Sequence, residues 1–390
     1  MRSIPLRAPI LVLAASLLLP AGDPAPTQAE APLPRSLLDP LAAVVPATRA
    51  ARVWPQEERQ DQALEYLVRC QHPLSGLWHA PGTSRVPGGF GAGSERDADL
   101  LISAVAMLAF CNSGYDHRTG IYRRTIDRGL RALLDHQRED GRWSDDLAVN
   151  AAVASAILEL YGMTRDQALA DVAARATQRV REDRMVGADG GRAWPARAGD
   201  RRADLVSTTW SLDVMYGASG ADLLPANHYA VMTSEVGGWI QSQWIDLSSR
   251  SGTAAPAGDR LPALLIAAMR CWPADSTTAA AMVRALAERP RSALGIQERW
   301  LAMSGMTWHA MHVVRPEVEA WITAEAERLT AGQDDGEDRA TRGSWPVRTG
   351  DALSERGGRV LTTAFLRSAV QRWRMLEYVR ARSPAGANAP

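Results

Sequence analysis

Acidic residues stand close together at two points of the chain where a carboxylate could act as an acid or a base. Asp97 and Asp99 are separated by one residue, and Asp145 and Asp146 are adjacent. General acid–base catalysis uses such groupings, because a neighbouring carboxylate perturbs the pKa of its partner. Helix starts use the same residue types, since Ser and Asp accept hydrogen bonds from free N–H groups. Capping is the commoner role, and these four residues are the candidate catalytic residues.

The remaining charged candidates also fall just before, or at the start of, long apolar segments. Asp204 precedes one such segment, and Glu355, Arg356 and Arg359 precede the last one. If these segments are helices that run in one direction, their charged starts share one end of the fold. We therefore predict a polar binding surface there. Its candidate ligand-binding residues are Asp99, Asp146, Asp204, Arg356, Arg359, Trp210 and Trp308.

Histidine and cysteine offer only weak candidates for metal or redox chemistry. His309 and His312 are three residues apart, a spacing at which two imidazoles on a helix can share a metal, but the sequence shows no third ligand. We predict polar residues facing a moist cavity instead, with no metal and no cofactor. Cys70 and Cys111 end the first two predicted helices, so a disulfide between them stays open, although the spacing of the three cysteines favours free thiols.

The hydrophobic pattern predicts two kinds of helix in alternation. One kind has a single apolar stripe, as a helix on the outside of a fold should. The other kind is apolar almost all round, which suits a helix buried on most sides. The predicted outer helices are 58–70, 121–137, 165–181, 226–243, 277–288 and 316–330, and the predicted inner helices are 97–111, 146–160, 204–217, 260–272, 297–313 and 359–379.

Six outer–inner pairs predict an all-α fold, an (α/α)6 toroid with the inner helices around the axis. An open solenoid would also fit the alternation, but it needs polar caps at both ends. The last inner helix is as apolar, from Val360 to Leu366, as the middle ones. This favours closure of the last pair onto the first.

A glycine and a tryptophan recur where an outer helix passes into its inner partner. The pattern is fullest at Gln137–Trp143, which reads Gln-x-x-Asp-Gly-x-Trp, and shorter forms end at Trp78, Trp194 and Trp345. Glycine permits the left-handed turn that ends a helix. Tryptophan then covers the joint with a large flat surface.

This repeat resembles that of the terpenoid cyclases and protein prenyltransferases, whose fold is an α/α toroid. The segment Gly357–Leu366, which follows a Gly-x-Trp joint, also resembles exported bacterial proteins with squalene-cyclase-type repeats. The resemblance covers about residues 57–380. It implies the toroid fold, and it implies little about activity, because the repeated residues are structural.

The motifs of the enzymes in this superfamily are incomplete here. Protonating cyclases carry Asp-x-Asp-Asp, but Leu100 stands where the last Asp belongs. The zinc-binding context of prenyltransferases and the cysteine of the complement-type thioester are absent. The chain also has only 3 Phe and 7 Tyr to line a cavity for a carbocation.

These departures favour a non-catalytic toroid that binds a polar ligand or a protein partner at the ring mouth. One alternative is a terpenoid cyclase or prenyltransferase-like enzyme that uses Asp97 and Asp99. Another is a polysaccharide lyase or hydrolase, which needs two carboxylates facing each other across a cleft. Asp99, Asp146, Glu159 and Asp204 are the candidates for such a pair.

The N-terminal residues predict export. Arg2 and Arg7 precede the short apolar run Ile10–Leu19, and Ala29-Glu30-Ala31 has the form of a cleavage site. We predict a signal peptide at 1–31, a Pro/Ala-rich linker at 32–55, the toroid at 56–382 and a disordered tail at 383–390. The mature protein is then periplasmic or secreted, with an uncleaved N-terminal anchor as the alternative. The net charge of zero gives no reason to expect nucleic acid as a partner, and we expect no stable membrane span.

Overall fold

Twelve α-helices alternate between an outer and an inner layer in a computed structural model that describes residues 58–79, 94–187, 191–249 and 260–382. The outer helices are α1 (Glu58–Cys70), α3 (Arg123–Asp135), α5 (Gln167–Glu182), α7 (Ala226–Ser249), α9 (Thr277–Ala287) and α11 (Pro316–Ala331). The inner helices are α2 (Glu95–Asn112), α4 (Leu147–Thr164), α6 (Leu205–Gly220), α8 (Arg260–Cys271), α10 (Ile296–His312) and α12 (Ala352–Arg382).

The inner helices form a closed ring. Each packs against the next in the order α2, α4, α6, α8, α10 and α12, and α12 packs in turn against α2. The outer helices pack around this ring, and the first of them, α1, contacts α12 as well as α2. The predicted (α/α)6 toroid and its closure are therefore confirmed.

Burial explains the composition of the inner helices. In α4, every residue from Leu147 to Leu158 is buried. Of the described helices, α4 alone is long and apolar enough to cross a membrane by length and composition. It packs between α2 and α6, so its apolar surface is covered by protein.

The start of α12 differs from the prediction. The helix begins at Ala352 rather than near residue 359, and it contains a non-helical residue, Gly358, at φ 60°. A left-handed φ is favourable mainly for glycine, so Gly358 allows a kink where the sequence suggested a helix start. Asp351 thereby becomes the residue that precedes the helix.

The four Trp joints share one pattern of hydrogen bonds. Each indole N–H donates to a carbonyl near the C-terminus of the preceding outer helix, and each tryptophan backbone N–H donates to a polar side chain of the following inner helix. The indole bonds measure 2.6–2.7 Å and join Trp78 to Leu67, Trp143 to Leu133, Trp194 to Val180, and Trp345 to Leu329. The acceptors of the backbone bonds are Ser103, Asn150, Thr208 and Thr363.

The joint glycines lie against the backbone of the next outer helix around the ring. A Cβ on Gly76 would stand 2.7 Å from the Arg128 carbonyl oxygen in α3, and one on Gly141 would stand 3.2 Å from that of Arg175 in α5. At Gly343 the corresponding neighbour is Gln62 in α1, at 2.1 Å. The same glycine contact therefore joins the last pair to the first.

Two further features complete the described fold. A short antiparallel pair, β1 (Met185–Val186) and β2 (Arg192–Ala193), lies before the third joint, with Met185 opposite Ala193. All three cysteines are free thiols, so the Cys70–Cys111 disulfide does not form. The predicted signal peptide, linker and C-terminal tail lie outside the described residues.

Candidate ligand-binding site at the ring mouth

A cavity of about 550 Å³ opens at the end of the ring where the inner helices begin. Its walls come from the starts of α4, α6, α10 and α12 and from the loops beside them. Four carboxylates and one guanidinium line it: Asp146, Asp204, Glu298, Asp351 and Arg348. We call this the mouth cavity. Of the acidic residues predicted to share this end of the ring, Asp146 and Asp204 line the cavity.

Asp146 is the buried carboxylate of the mouth cavity, with 4% of its surface exposed. It caps α4, because its Oδ1 accepts the backbone N–H groups of Ala148 (3.0 Å) and Val149 (3.1 Å). Burial raises the pKa of Asp146 above its ordinary value, and the negative charge of Asp97 adds to the rise. The Asp146 side chain is thus fixed through Oδ1, and its protonated form is more favoured than in an exposed aspartate.

Asp204 and Asp351 cap the two helices on other sides of the cavity. Asp204 Oδ2 accepts the Ser207 N–H at 2.8 Å. Both carboxylate oxygens of Asp351 accept hydrogen bonds. Oδ1 accepts the backbone N–H groups of Leu353 and Ser354, and Oδ2 accepts the Ile296 N–H at 2.7 Å. Asp351 therefore ties the start of α12 to the start of α10, as a structural carboxylate.

Arg348 fixes the loop that precedes Asp351. Its guanidinium donates to the carbonyls of Leu294 and Ser292, beside the short 3₁₀ turn Arg291–Ala293. Its backbone N–H donates to Ser354 Oγ at 2.9 Å. Arg348 thereby holds one wall of the cavity to the loop before α10.

The other predicted catalytic residues do not line the mouth cavity. Asp97 lines a small apolar recess beside it, and its oxygens accept from Ser94 and Ser144. Asp99 accepts from His79 at 2.7 Å instead. Asp145 is 60% exposed and pairs with Arg138 at 2.8 Å. Of the adjacent Asp145–Asp146 pair, only Asp146 lines the cavity.

The remaining ligand-binding candidates are also placed elsewhere. Arg356 lines the apolar recess with Asp97, and Arg359 donates to Ser344 Oγ and Asp334 at the last joint. Trp210 and Trp308 are buried inside the ring rather than at its mouth. Glu355 accepts the Gly350 N–H at 2.8 Å, so it braces the loop at the cavity wall.

Aromatic side chains of α6, α10 and α12 contact one another inside the ring. Trp210 of α6 stacks on Trp300 of α10 with ring centroids 4.9 Å apart, and Trp300 meets Phe365 of α12 at 5.6 Å. Because α8 lies between α6 and α10 in the ring, this stack crosses the interior. Trp308 of α10 contacts Tyr216 of α6 in the same way, at 5.8 Å.

The two candidate metal ligands bind backbone instead. His309 Nδ1 lies 2.9 Å from the Ala274 carbonyl oxygen, and His312 Nδ1 lies 2.8 Å from that of Trp308. Burial lowers the pKa of His309, which favours the neutral ring. No group of three metal-binding side chains occurs within the part of the chain that the structure describes.

Two acidic residues of the mouth cavity were missed in the sequence. Glu298 lies in the first turn of α10, where an acidic residue is ordinary and carries no particular signal. Asp351 precedes the observed start of α12 at Ala352, whereas the sequence predicted a start at residue 359, after Gly357 and Gly358. An Asp three residues before a Ser, as in Asp351-Ala-Leu-Ser354, was the available cue for a cap.

No protein-family model matches this chain, and neither does any curated protein. Solved structures do share its fold. One is an inactive variant of the alpha-1,6-mannanase of Salegentibacter sp. HEL1_6, in which two consecutive aspartates are replaced by asparagine and alpha-1,6-mannotriose is bound. It superimposes with a TM-score of 0.56 at 13% identity, and the match covers 81% of this chain and 99% of that one.

A second solved enzyme also superimposes on the ring. The type II terpene cyclase MstE from Scytonema gives a TM-score of 0.51 at 14% identity, covering 81% of this chain and 97% of that one. Both likenesses concern the fold. They confirm the α/α-toroid fold that the repeat predicted.

Proposed function

We propose that the mouth cavity binds an oligosaccharide and that Asp146 acts there as the general acid in glycosidic bond hydrolysis. The observation that carries the proposal is the convergence of Asp146, Asp204, Glu298 and Asp351 on one open cavity of about 550 Å³. This volume suits a small ligand. A polar, charged lining offers acceptors to the hydroxyl groups of a sugar, and a hydrolase of this kind needs carboxylates around the scissile bond.

Asp146 and Asp204 fit the two roles of such a hydrolase. An acid must hold its proton near neutral pH, and burial moves the pKa of Asp146 in that direction. Asp204 supplies the second carboxylate, as base or nucleophile. One oxygen of each group is anchored by a helix N-terminus, and no described donor occupies Asp146 Oδ2 or Asp204 Oδ1. Both side chains are therefore oriented while one oxygen remains for the substrate.

The oligosaccharide to test first is suggested by the mannanase that shares this fold. In the Salegentibacter enzyme, the variants in which two consecutive aspartates are replaced are inactive and carry bound alpha-1,6-linked mannose oligosaccharides. Asp145 and Asp146 form the consecutive pair at the start of an inner helix here. Alpha-1,6-mannotetraose is thus the first oligosaccharide to test.

The second candidate function is the one that the sequence favoured, an exported non-catalytic binder. Asp351 supports it, because this carboxylate accepts three backbone N–H groups and serves as a structural cap. A terpenoid cyclase has less support, since its carbocation needs an aromatic-lined cavity, whereas charged residues line the mouth cavity and Trp210, Trp300 and Phe365 pack on one another.

Hydrolysis and binding of fluorescently end-labelled alpha-1,6-mannotetraose test the proposal. We expect the wild-type protein to cleave it, Asp146→Asn and Asp204→Asn each to lose about 100-fold or more in rate while still binding, and Asp145→Asn to stay near wild type. Binding without cleavage by the wild type would assign the non-catalytic role. If the wild type neither binds nor cleaves this or other α- and β-linked oligosaccharides, the mouth cavity is not an oligosaccharide site and the proposal is overturned.

A further inference from the structure

Three side chains near the first joint form a hydrogen-bonded chain outside the mouth cavity. Ser75 Oγ lies 3.0 Å from His79 Nε2, and His79 Nδ1 lies 2.7 Å from Asp99 Oδ2. Ser75 is exposed, and the His79 side chain is 40% exposed. The order hydroxyl, imidazole and carboxylate is that of a nucleophile, its base and the group that orients the base.

The hydrogen bonds determine which ring nitrogen of His79 is free to act. The Asp99 carboxylate accepts the proton of His79 Nδ1, so Nε2 presents its lone pair to the Ser75 hydroxyl. His72 adds a second acceptor, because its Nδ1 accepts the Ser75 backbone N–H and lies 3.1 Å from Ser75 Oγ. The two imidazoles meet edge to face at 5.0 Å. The Ser75 hydroxyl can donate to only one of the two rings at a time, and His79, whose Nε2 is not engaged by the backbone, is the base in this arrangement.

Buried parts of the first joint hold these exposed groups in place. Gly76, at φ +75°, makes the turn after Ser75, and Gln71 Nε2 donates to the Gly76 carbonyl oxygen at 2.8 Å. Trp78, the residue before His79, is fully buried. Asp99 comes from α2, a different element. A reactive geometry requires such rigid support.

We propose that Ser75, His79 and Asp99 catalyse acyl transfer from small activated esters. His79 Nε2 takes the Ser75 hydroxyl proton as Oγ attacks the ester carbonyl carbon. The tetrahedral intermediate collapses, the bond to the leaving oxygen breaks, and His79 returns the proton to the departing alcohol. Water, deprotonated by His79, then cleaves the acyl-Ser75 ester to give a carboxylic acid and the free hydroxyl. No cofactor or redox partner is needed.

The local backbone restricts the class of ester. The Ser75 and Gly76 N–H groups donate within the turn, to His72 Nδ1 and to the His72 carbonyl oxygen. They are therefore engaged rather than free to stabilise an oxyanion, and one such donor is commonly worth about 100- to 1,000-fold in rate. Substrates whose leaving group departs easily are the ones this site can turn over.

Labelling with a fluorophosphonate probe tests this assignment, because the probe bonds to an activated serine and releases fluoride. We expect one label per chain, located at Ser75 by peptide mass spectrometry, and hydrolysis of p-nitrophenyl acetate. Ser75→Ala should remove the label, and His79→Gln should lower the hydrolysis rate about 100-fold. Label at another residue, or unchanged hydrolysis by Ser75→Ala, would overturn the proposal.

Asp99 is a positioning residue in this scheme, and its test is a rescue. Asp99→Asn should slow labelling at an unchanged melting temperature, and Asp99→Glu should restore part of the labelling rate. Asp145→Asn serves as the control, since it removes an exposed carboxylate that pairs with Arg138 rather than with His79, and it should label like the wild type. Equal labelling rates for Asp99→Asn and wild type would remove Asp99 from the scheme. Failure of oligosaccharide hydrolysis leaves this result unaffected.

Discussion

Adjacent or nearly adjacent residues have separate roles at the ring mouth. Asp146 caps α4 and lines the mouth cavity, whereas Asp145 points to Arg138 in solvent. Asp97 bonds to Ser144, whereas Asp99 bonds to His79. The direction of each side chain from its helix start decides which group it meets. Paired carboxylates in the sequence are therefore not paired in space.

The stability of the protein should depend on pH through Asp146. Its pKa is raised in the folded state, so the folded protein binds this proton more tightly than the unfolded chain, and the associated stability is lost as pH rises through the raised pKa. Asp146→Asn keeps the cap acceptor and carries no charge. We expect its melting temperature to exceed that of the wild type at pH 7 and this difference to shrink toward pH 4. Asp145→Asn should change little at either pH.

A buried ion pair links α10 to α11. Glu325, which is fully buried, accepts from Arg299 Nη1 at 2.6 Å and from Arg328 Nε at 2.9 Å. Burial raises the pKa of Glu325 to about 7, so the carboxylate is ionised at pH 8. Glu325→Gln then leaves the Arg299 charge buried without its counterion, and we expect a loss of about 3–5 kcal/mol in the free energy of unfolding, measured in urea at pH 8. The double variant Arg299→Met/Glu325→Leu should recover most of it. An additive loss in the double variant would contradict this explanation.

Each joint is an element-scale unit in which a tryptophan fastens an outer helix to its inner partner. The indole satisfies a carbonyl at the end of the outer helix, and the adjacent backbone satisfies a polar side chain of the inner one. The last carbonyls of a helix lack regular helical partners, so the indole N–H supplies a donor there, in addition to a capping N–H at Leu133 and Leu329. The joint tryptophans are structural residues.

Replacing one joint tryptophan by phenylalanine isolates the indole hydrogen bond. Trp143→Phe removes the indole donor from the Leu133 carbonyl oxygen, which keeps only the 3.2 Å bond from the His136 N–H, and we expect a cost of about 1 kcal/mol beyond the loss of ring area. Trp321 provides the control, because it is also buried and its Nε1 meets no described acceptor. Trp321→Phe should be the milder change by chemical denaturation. Equal costs would show that ring area alone matters.

Elements were easier to predict than their ends. Most inner and outer helices begin and end within a few residues of the predicted bounds, because the hydrophobic period is a local property of the sequence. The exceptions are the end of α7, which lies at Ser249 rather than near residue 243, and the start of α12, where Gly358 allows a kink that no period reveals. The error at α12 hid Asp351, one residue of the candidate site.

At the scale of the whole molecule, closure joins the first and last helix pairs. Gly343 packs against the backbone of Gln62, and Arg69 donates to the Arg342 carbonyl oxygen at 2.7 Å. The inner contact between α12 and α2 completes the same junction. The ring thereby has no exposed end repeat to cap.

Substituting the glycine at this junction tests how much closure contributes. Gly343→Ala forces a Cβ into the Gln62 carbonyl oxygen at a positive φ of 87°. Gly199→Ala meets the same positive φ, 88°, but open space. We expect Gly199→Ala to cost about 1–2 kcal/mol from backbone strain alone, and Gly343→Ala to lower the melting temperature much further. Similar melting temperatures for the two would show that the contact at the junction yields easily.

The sequence by itself determined the helices, their alternation and the glycine–tryptophan joints, because each depends on residues within one or two helical turns. It also indicated that carboxylates begin the inner helices. Only the tertiary structure decided that Asp146, Asp204, Glu298 and Asp351 share a cavity, and that Asp99 meets His79. Those groupings join residues far apart in the chain. They depend on the rotation of each helix about its axis and on closure of the ring, which local pattern does not encode.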